Sequence, residues 1–96
     1  MTNKYKKYTD EAKVYDVAKR TPLDYQALLS TRLNNQIYLK REDLQSVFSF
    51  KIRGAYNKLT HLDKKIRDKG IIAASAGNHA QGVAMAAKTL GCKATI

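Results

Sequence analysis

Lys51 stands in the stretch Ser49-Phe50-Lys51-Ile52-Arg53-Gly54-Ala55-Tyr56, which places a lysine in the first turn of an expected helix. Ser49 is a good residue to cap that helix, because its hydroxyl can accept from an orphan backbone N–H at the start. Downstream, Ile52, Ala55, Tyr56, Leu59 and Leu62 fall at the spacing of one apolar helical stripe. Lys51 lies off that stripe, close to the positive end of the helix dipole. A cation is disfavoured there, which favours the neutral amine. Flanked by Phe48 and Phe50, such an amine suits imine formation with an aldehyde. A solvated lysine at a helix end would look the same on local grounds.

A second stretch, Ser75-Ala76-Gly77-Asn78-His79-Ala80-Gln81-Gly82, follows an apolar run and precedes another helical pattern. Between a strand's carboxyl end and a helix N-terminus is where open α/β sheets bind ligands. Free N–H groups at such a helix start suit a carboxylate or phosphate. Gly77 permits an unusual turn or close approach, Ser75 and Asn78 bring short hydrogen-bonding side chains, and His79 can add a donor. Ser75 and Asn78 could equally be plain helix caps, and His79 an ordinary surface histidine. Gly77 and Gly82 have phosphate-loop spacing, but Val83 and Ala84 stand where that loop needs lysine and a hydroxyl, so a nucleoside triphosphate site is rejected. Two histidines and one cysteine without ligand spacing argue against a metal site.

The elements that must hold these stretches read as follows. The first eight residues, Tyr- and Lys-rich, are expected to be a frayed tail. Thr9 or Asp10 is expected to cap a helix carrying Ala12, Val14, Val17 and Ala18, broken by Pro22. Leu23 to Leu33 fits helix and strand equally, with Leu28 and Leu29 buried. Asn34-Asn35 reads as a tight turn, and Gln36 to Lys40 as a short strand with Ile37 and Leu39 on its buried face. Arg41-Glu42-Asp43 forms a charged loop into the lysine helix. Asp63 to Lys69 is a charged connector or a short helix stopped by Gly70. Ile71 to Ala74 is a buried strand. Ala80, Val83, Ala84, Ala87 and Leu90 mark a helix ended by Gly91, and Lys93 to Ile96 begins another strand. Strand, helix, strand, helix, strand implies an α/β fold, an open parallel sheet with helical crossovers. The closing strand would have few partners, so residues 1–96 are read as a single incomplete α/β unit, the N-terminal part of a longer protein.

Composition narrows the class. With 96 residues, 44% hydrophobic and 27% charged, the chain suits one small globular unit. A net charge of +10, from 18 Lys+Arg against 8 Asp+Glu, raises a small basic nucleic-acid-binding module as a reading from a different class. The basic residues are scattered and match no nucleic-acid motif. One cysteine, Cys92, gives no disulfide framework and fits a reducing cytoplasm. Basic N-terminal residues lack an apolar segment behind them, so no signal peptide is read, and the longest apolar run is too short to span a bilayer.

Taken together, the two motifs resemble those of the threonine/serine dehydratases, which are fold-type II pyridoxal-phosphate enzymes. Ser49 to Ala55 resembles the family's cofactor-lysine motif, and Ser75 to Gly82 its substrate-carboxylate and cofactor-ring loop. Thr21-Pro22-Leu23 and Lys40-Arg41-Glu42-Asp43-Leu44 also match family segments. The resemblance runs from about Val14 to Ile96. Val47-Phe48-Ser49-Phe50-Lys51 is closer to the biosynthetic threonine deaminases than to the catabolic enzymes or serine racemases. Ser46 departs from that subfamily's proline. The resemblance implies that Lys51 holds pyridoxal 5′-phosphate and later moves the α-proton, and that Phe50 packs near the cofactor. It further implies that Asn78 bonds the ring's 3′-oxygen, while Ser75, Gly77 and His79 surround the substrate carboxylate. The implied reaction converts L-threonine to 2-oxobutanoate and ammonia in isoleucine biosynthesis, with a serine dehydratase or serine racemase as the alternative. The partners implied are a small amino-acid substrate and further copies of the chain in a dimer or tetramer, with no nucleic acid or membrane. The family's glycine-rich phosphate loop and pyridine-nitrogen partner have no counterpart in these residues, so the 96-residue piece alone is expected to be inactive or nearly so.

Overall fold

A computed structural model of the chain describes residues 3–96. The chain forms helix α1 (Asn3–Asp10), strand β1 (Leu23–Tyr25), helix α2 (Ala27–Arg32), strand β2 (Tyr38–Lys40), helix α3 (Lys51–Thr60), helix α4 (Lys64–Arg67), strand β3 (Ile71–Ile72), helix α5 (Asn78–Leu90) and strand β4 (Ala94–Thr95). Short 3₁₀ turns occupy Val14–Asp16 and Glu42–Leu44.

The parallel pairing expected of an α/β fold is present. β3 and β4 pair in parallel, Ile71 with Ala94 and Ile72 with Thr95, and α5 is the crossover between them. The strand near residue 40 does not join that sheet. β2 pairs antiparallel with β1, Leu23 opposite Lys40 and Tyr25 opposite Tyr38, with the two tyrosine rings 5.2 Å apart. The ambiguity over residues 23–33 resolves into both alternatives in succession, a strand and then a short helix. Ordering the strands by sequence missed the hairpin-like excursion because α2 lies within it.

Other expectations are corrected. Residues 3–10 are helical rather than a frayed tail; residues 1–2 lie outside the described part. Lys6–Asp10 and Lys7–Glu11 ion pairs, one turn apart at 2.5 and 3.7 Å, and Lys4 over the Tyr8 ring support this first helix. It ends where the next was expected to begin, because the Lys13 amide donates to Asn57 Oδ1 at 3.1 Å instead of continuing the helix. Leu28 and Leu29 are not buried but 90% and 40% exposed. The residue turned inward is Ser30, whose hydroxyl accepts from the Ile37 amide at 2.9 Å, satisfying backbone that β2 leaves unpaired. Leu39, expected on a buried face, is exposed as well, and so is Ile72 of the strand expected to be buried.

The core lies between α3 and α5. Ile52, Ala55, Tyr56 and Leu59 of the expected stripe are buried, with Leu62 at the margin. On α5 the buried face is Gly82, Val83, Ala86 and Ala87, rotated from the expected stripe: Val83 and Ala87 remain, Ala84 is exposed, and Ala80 and Leu90 are half-buried. Small side chains on that face allow the two helices to approach closely. Gly91 closes α5 in the left-handed conformation at φ 67°, and the Cys92 amide reaches back to the Ala87 carbonyl at 3.0 Å, the Schellman arrangement. Among the described residues no helix is long and apolar enough to cross a membrane.

Candidate active site

Lys51 is the first residue of α3. The position before it is Phe50, which makes no side-chain cap. Ser49 acts one step earlier than expected: buried, it accepts from the Lys51 amide at 3.4 Å, a long bond that orients the entry to the helix. The Lys51 amine lies 5.4 Å from the centre of the Phe50 ring and enters no ion pair among the described residues. Phe48 is placed elsewhere. It takes the unusual φ of 60° for a non-glycine residue and borders a surface groove with Gln81 and Met85.

The second stretch forms the loop into α5. The Ser75 hydroxyl accepts from the Gly77 amide at 3.3 Å and the Ala80 amide at 3.2 Å, so it caps the helix across a turn. Among the described residues, the backbone N–H groups of Asn78 and His79 find no protein acceptor. Two free amides at the start of a 13-residue helix favour an anionic group. Gly77, Asn78 and His79 are all exposed, which leaves them open to a ligand.

Gly82 brings the two stretches together. One turn past Asn78, it rests on the backbone at the start of α3. A Cβ at this position would stand 2.9 Å from both the carbonyl carbon and oxygen of Lys51, and 3.2 Å from the Ile52 nitrogen. Only glycine fits this approach. Sequence reading placed Gly82 within the motif without this role. Of the predicted site residues, His79 alone lines an apolar cavity of about 360 Å³ beside Gly54, Leu59, Ile71 and Val83. That cavity reaches neither Lys51 nor Ser75, Gly77 or Asn78. It is a gap on the flank of α3 and not the meeting place of the two motifs.

A charged cluster also holds the first turn of α3. Arg53 donates through Nε and Nη2 to the two oxygens of Glu42, both at 2.8 Å. Glu42 also accepts from the Thr21 hydroxyl at 2.7 Å and from Gln45 Nε2 at 3.2 Å. Hydrogen bonds from Arg53 first, then those from Thr21 and Gln45, hold the Glu42 carboxyl down at about 2, against an opposing push from burial. Gln45, only 1% exposed, bonds the Lys19 backbone in both directions at 2.8 Å. Thr21 and Glu42 lie in segments that the resemblance singled out, but pairing over 21 residues, and over 11 between Glu42 and Arg53, leaves no periodic trace. The available signal was an arginine off the apolar stripe facing an acidic loop.

Fold and site together define an α/β unit in which Gly82 of α5 rests on the Lys51 backbone at the start of α3, one turn beyond the Asn78 amide at the start of α5. Residues 14–96 match the family described as pyridoxal-phosphate dependent enzyme, and the chain belongs to that family. It is 61% identical over 85 residues to threonine dehydratase 1, biosynthetic, chloroplastic, of Solanum lycopersicum, covering 88% of this chain and 14% of the relative. It resembles the solved processed form of threonine deaminase isoform 2 from Solanum lycopersicum with a TM-score of 0.89 and 49% identity, covering 98% of this chain and 27% of that one. Maize serine racemase superposes with a TM-score of 0.84 at 31% identity, covering 97% of this chain and 29% of that one. The chain thus spans about a seventh of the curated relative's length.

The residues present fit the family's cofactor. An amine free of ion pairs can take an aldehyde, and the amides at α5 can take anionic or polar oxygens.

Proposed function

We propose that the full-length protein carrying this chain is a pyridoxal-phosphate-dependent threonine deaminase, converting L-threonine to 2-oxobutanoate and ammonia in isoleucine biosynthesis. The observation that supports this reading is the seating of Gly82 on the Lys51 backbone, which packs the start of α3 against the helix that the second motif opens. Threonine is favoured over serine as substrate by 49% identity to a threonine deaminase structure against 31% to a serine racemase.

When bound, pyridoxal phosphate supplies an aldehyde for the lysine and a ring that takes up the electron pair left when the α-proton departs. Lys51 would hold the cofactor and, as a free amine, would take the α-proton from threonine. Phe50 covers one side of the amine. Asn78 would donate to the ring's 3′-oxygen, while Ser75, Gly77 and His79 would enclose the substrate carboxylate. The net change removes the α-proton and β-hydroxyl as water, and water re-enters as ammonia leaves. The 96-residue chain alone, at 27% of the solved deaminase, is proposed to have little or no turnover. A lone half-buried cysteine, Cys92, suits the reducing cytoplasm. Assembly into a dimer or tetramer, implied by the resemblance, is tested by the solution mass of the full-length protein.

Full-length protein should release 2-oxobutanoate from L-threonine, more slowly from L-serine the corresponding 2-oxo acid, and lose both activities in Lys51→Ala. Absence of threonine turnover, or turnover surviving in Lys51→Ala, rejects the reading.

A further inference from the structure

Glu42 occupies an unusual position for a surface-loop carboxylate. Its side chain is 15% exposed and that of its partner Arg53 is 24% exposed. Both oxygens carry two hydrogen bonds, from Arg53, Thr21 and Gln45. A bidentate arginine–carboxylate pair fixes direction as well as distance, because two parallel bonds resist rotation. Arg53 sits two residues beyond Lys51 in the first turn of α3. Gln45 extends the anchor to the Lys19 backbone. The start of α3 is therefore held both by this carboxylate through Arg53 and by Gly82 against the Lys51 carbonyl, so both restraints act within two residues of Lys51.

From this arrangement we infer that Glu42, acting through Arg53, is a positioning residue for the Lys51 amine: the pair sets the first turn of α3 so that the amine meets the cofactor aldehyde in reactive geometry. The inference rests on the reading of Lys51 as the cofactor lysine. Misplacement of a reacting group by about 1 Å can cost on the order of a hundredfold in rate, so a small rotation of this turn has a measurable consequence.

The test uses full-length apoprotein mixed with pyridoxal phosphate, following capture by the absorbance of the lysine-bound cofactor. Glu42→Gln and Arg53→Lys should capture roughly ten- to a hundredfold more slowly than the parent, and Glu42→Asp should recover part of the loss. In the reconstituted enzymes kcat should fall with KM for threonine little changed. Ser30→Ala, which removes a buried hydrogen bond away from α3, controls for general destabilisation and should capture at the parental rate. Parental capture rates in folded Glu42→Gln and Arg53→Lys overturn the inference while leaving the proposed function standing. Equal slowing in Ser30→Ala also overturns it, by reducing the effect to stability. Should Glu42→Gln fail to fold, Arg53→Lys and Glu42→Asp decide by the same rates. Failure of the parent itself to capture the cofactor at Lys51 rejects the proposed function instead.

Discussion

No side chain separates Gly82 from Lys51: the point where a Cβ would project from Gly82 is 2.9 Å from the Lys51 carbonyl carbon and oxygen. The atoms in the way are backbone, so no rotamer change can make room. Gly82→Ala should therefore cost about 1–3 kcal/mol by overpacking and push the start of α3 away from α5. Gly54 in α3 has nothing within 4 Å of its Cβ position, so Gly54→Ala should be neutral or stabilising by up to about 1 kcal/mol. Thermal unfolding of the two variants separates these outcomes. Equal tolerance of alanine at both sites contradicts the close approach.

Acid should weaken the Glu42 anchor in a defined window. Glu42 titrates near 2 in the folded chain, down from an ordinary 4.5. A depressed value means that the unfolded chain takes up a proton that the folded chain refuses. The stabilisation, roughly 3 kcal/mol, is then complete above about pH 5 and is lost as pH falls towards 2. Unfolding midpoints measured between pH 6 and 2.5 should drop less steeply for Glu42→Gln than for the parent. Identical slopes would remove Glu42 from the acid response.

Ser75 satisfies two amides at the entry to α5, those of Gly77 and Ala80. Ser75→Ala should cost about 1 kcal/mol and speed hydrogen exchange at the Ala80 amide while leaving Ala86 protected. Unchanged exchange at Ala80 would show that the hydroxyl does not hold the loop.

Phe48 adopts φ 60° and is 75% exposed, so little burial offsets a backbone cost of about 1–3 kcal/mol. Phe48→Gly should leave stability equal or raised by about 1 kcal/mol, whereas β-branched Phe48→Val should lower it. Denaturant midpoints for the pair test this, and a less stable Phe48→Gly than Phe48→Val would contradict it.

What could be read in advance followed from the range of the interactions. The α3 stripe through Ile52, Tyr56 and Leu59, the left-handed stop at Gly91 and the capping hydroxyl of Ser75 are local, and each leaves a pattern within a few residues. Leu28 was misplaced because its exposure depends on how α2 sits beside the β1–β2 pair, which no six-residue window encodes. Gly82 was visible as a residue, but its purpose lies 31 positions away at Lys51. The Glu42–Arg53 pair was hidden for the same reason, since charged residues in a loop and on a helix flank look solvated until the fold brings them together. The helix at 3–10 was missed through overreading polarity, where pairs such as Lys6–Asp10 support a helix without any buried face.

The most direct measurement is to reduce full-length protein with borohydride after incubation with pyridoxal phosphate and to map the modified peptide. Label should concentrate on Lys51 and disappear from that peptide in Lys51→Ala. Label spread over the surface lysines of α1 and α4, with Lys51 no more modified than they are, would contradict it.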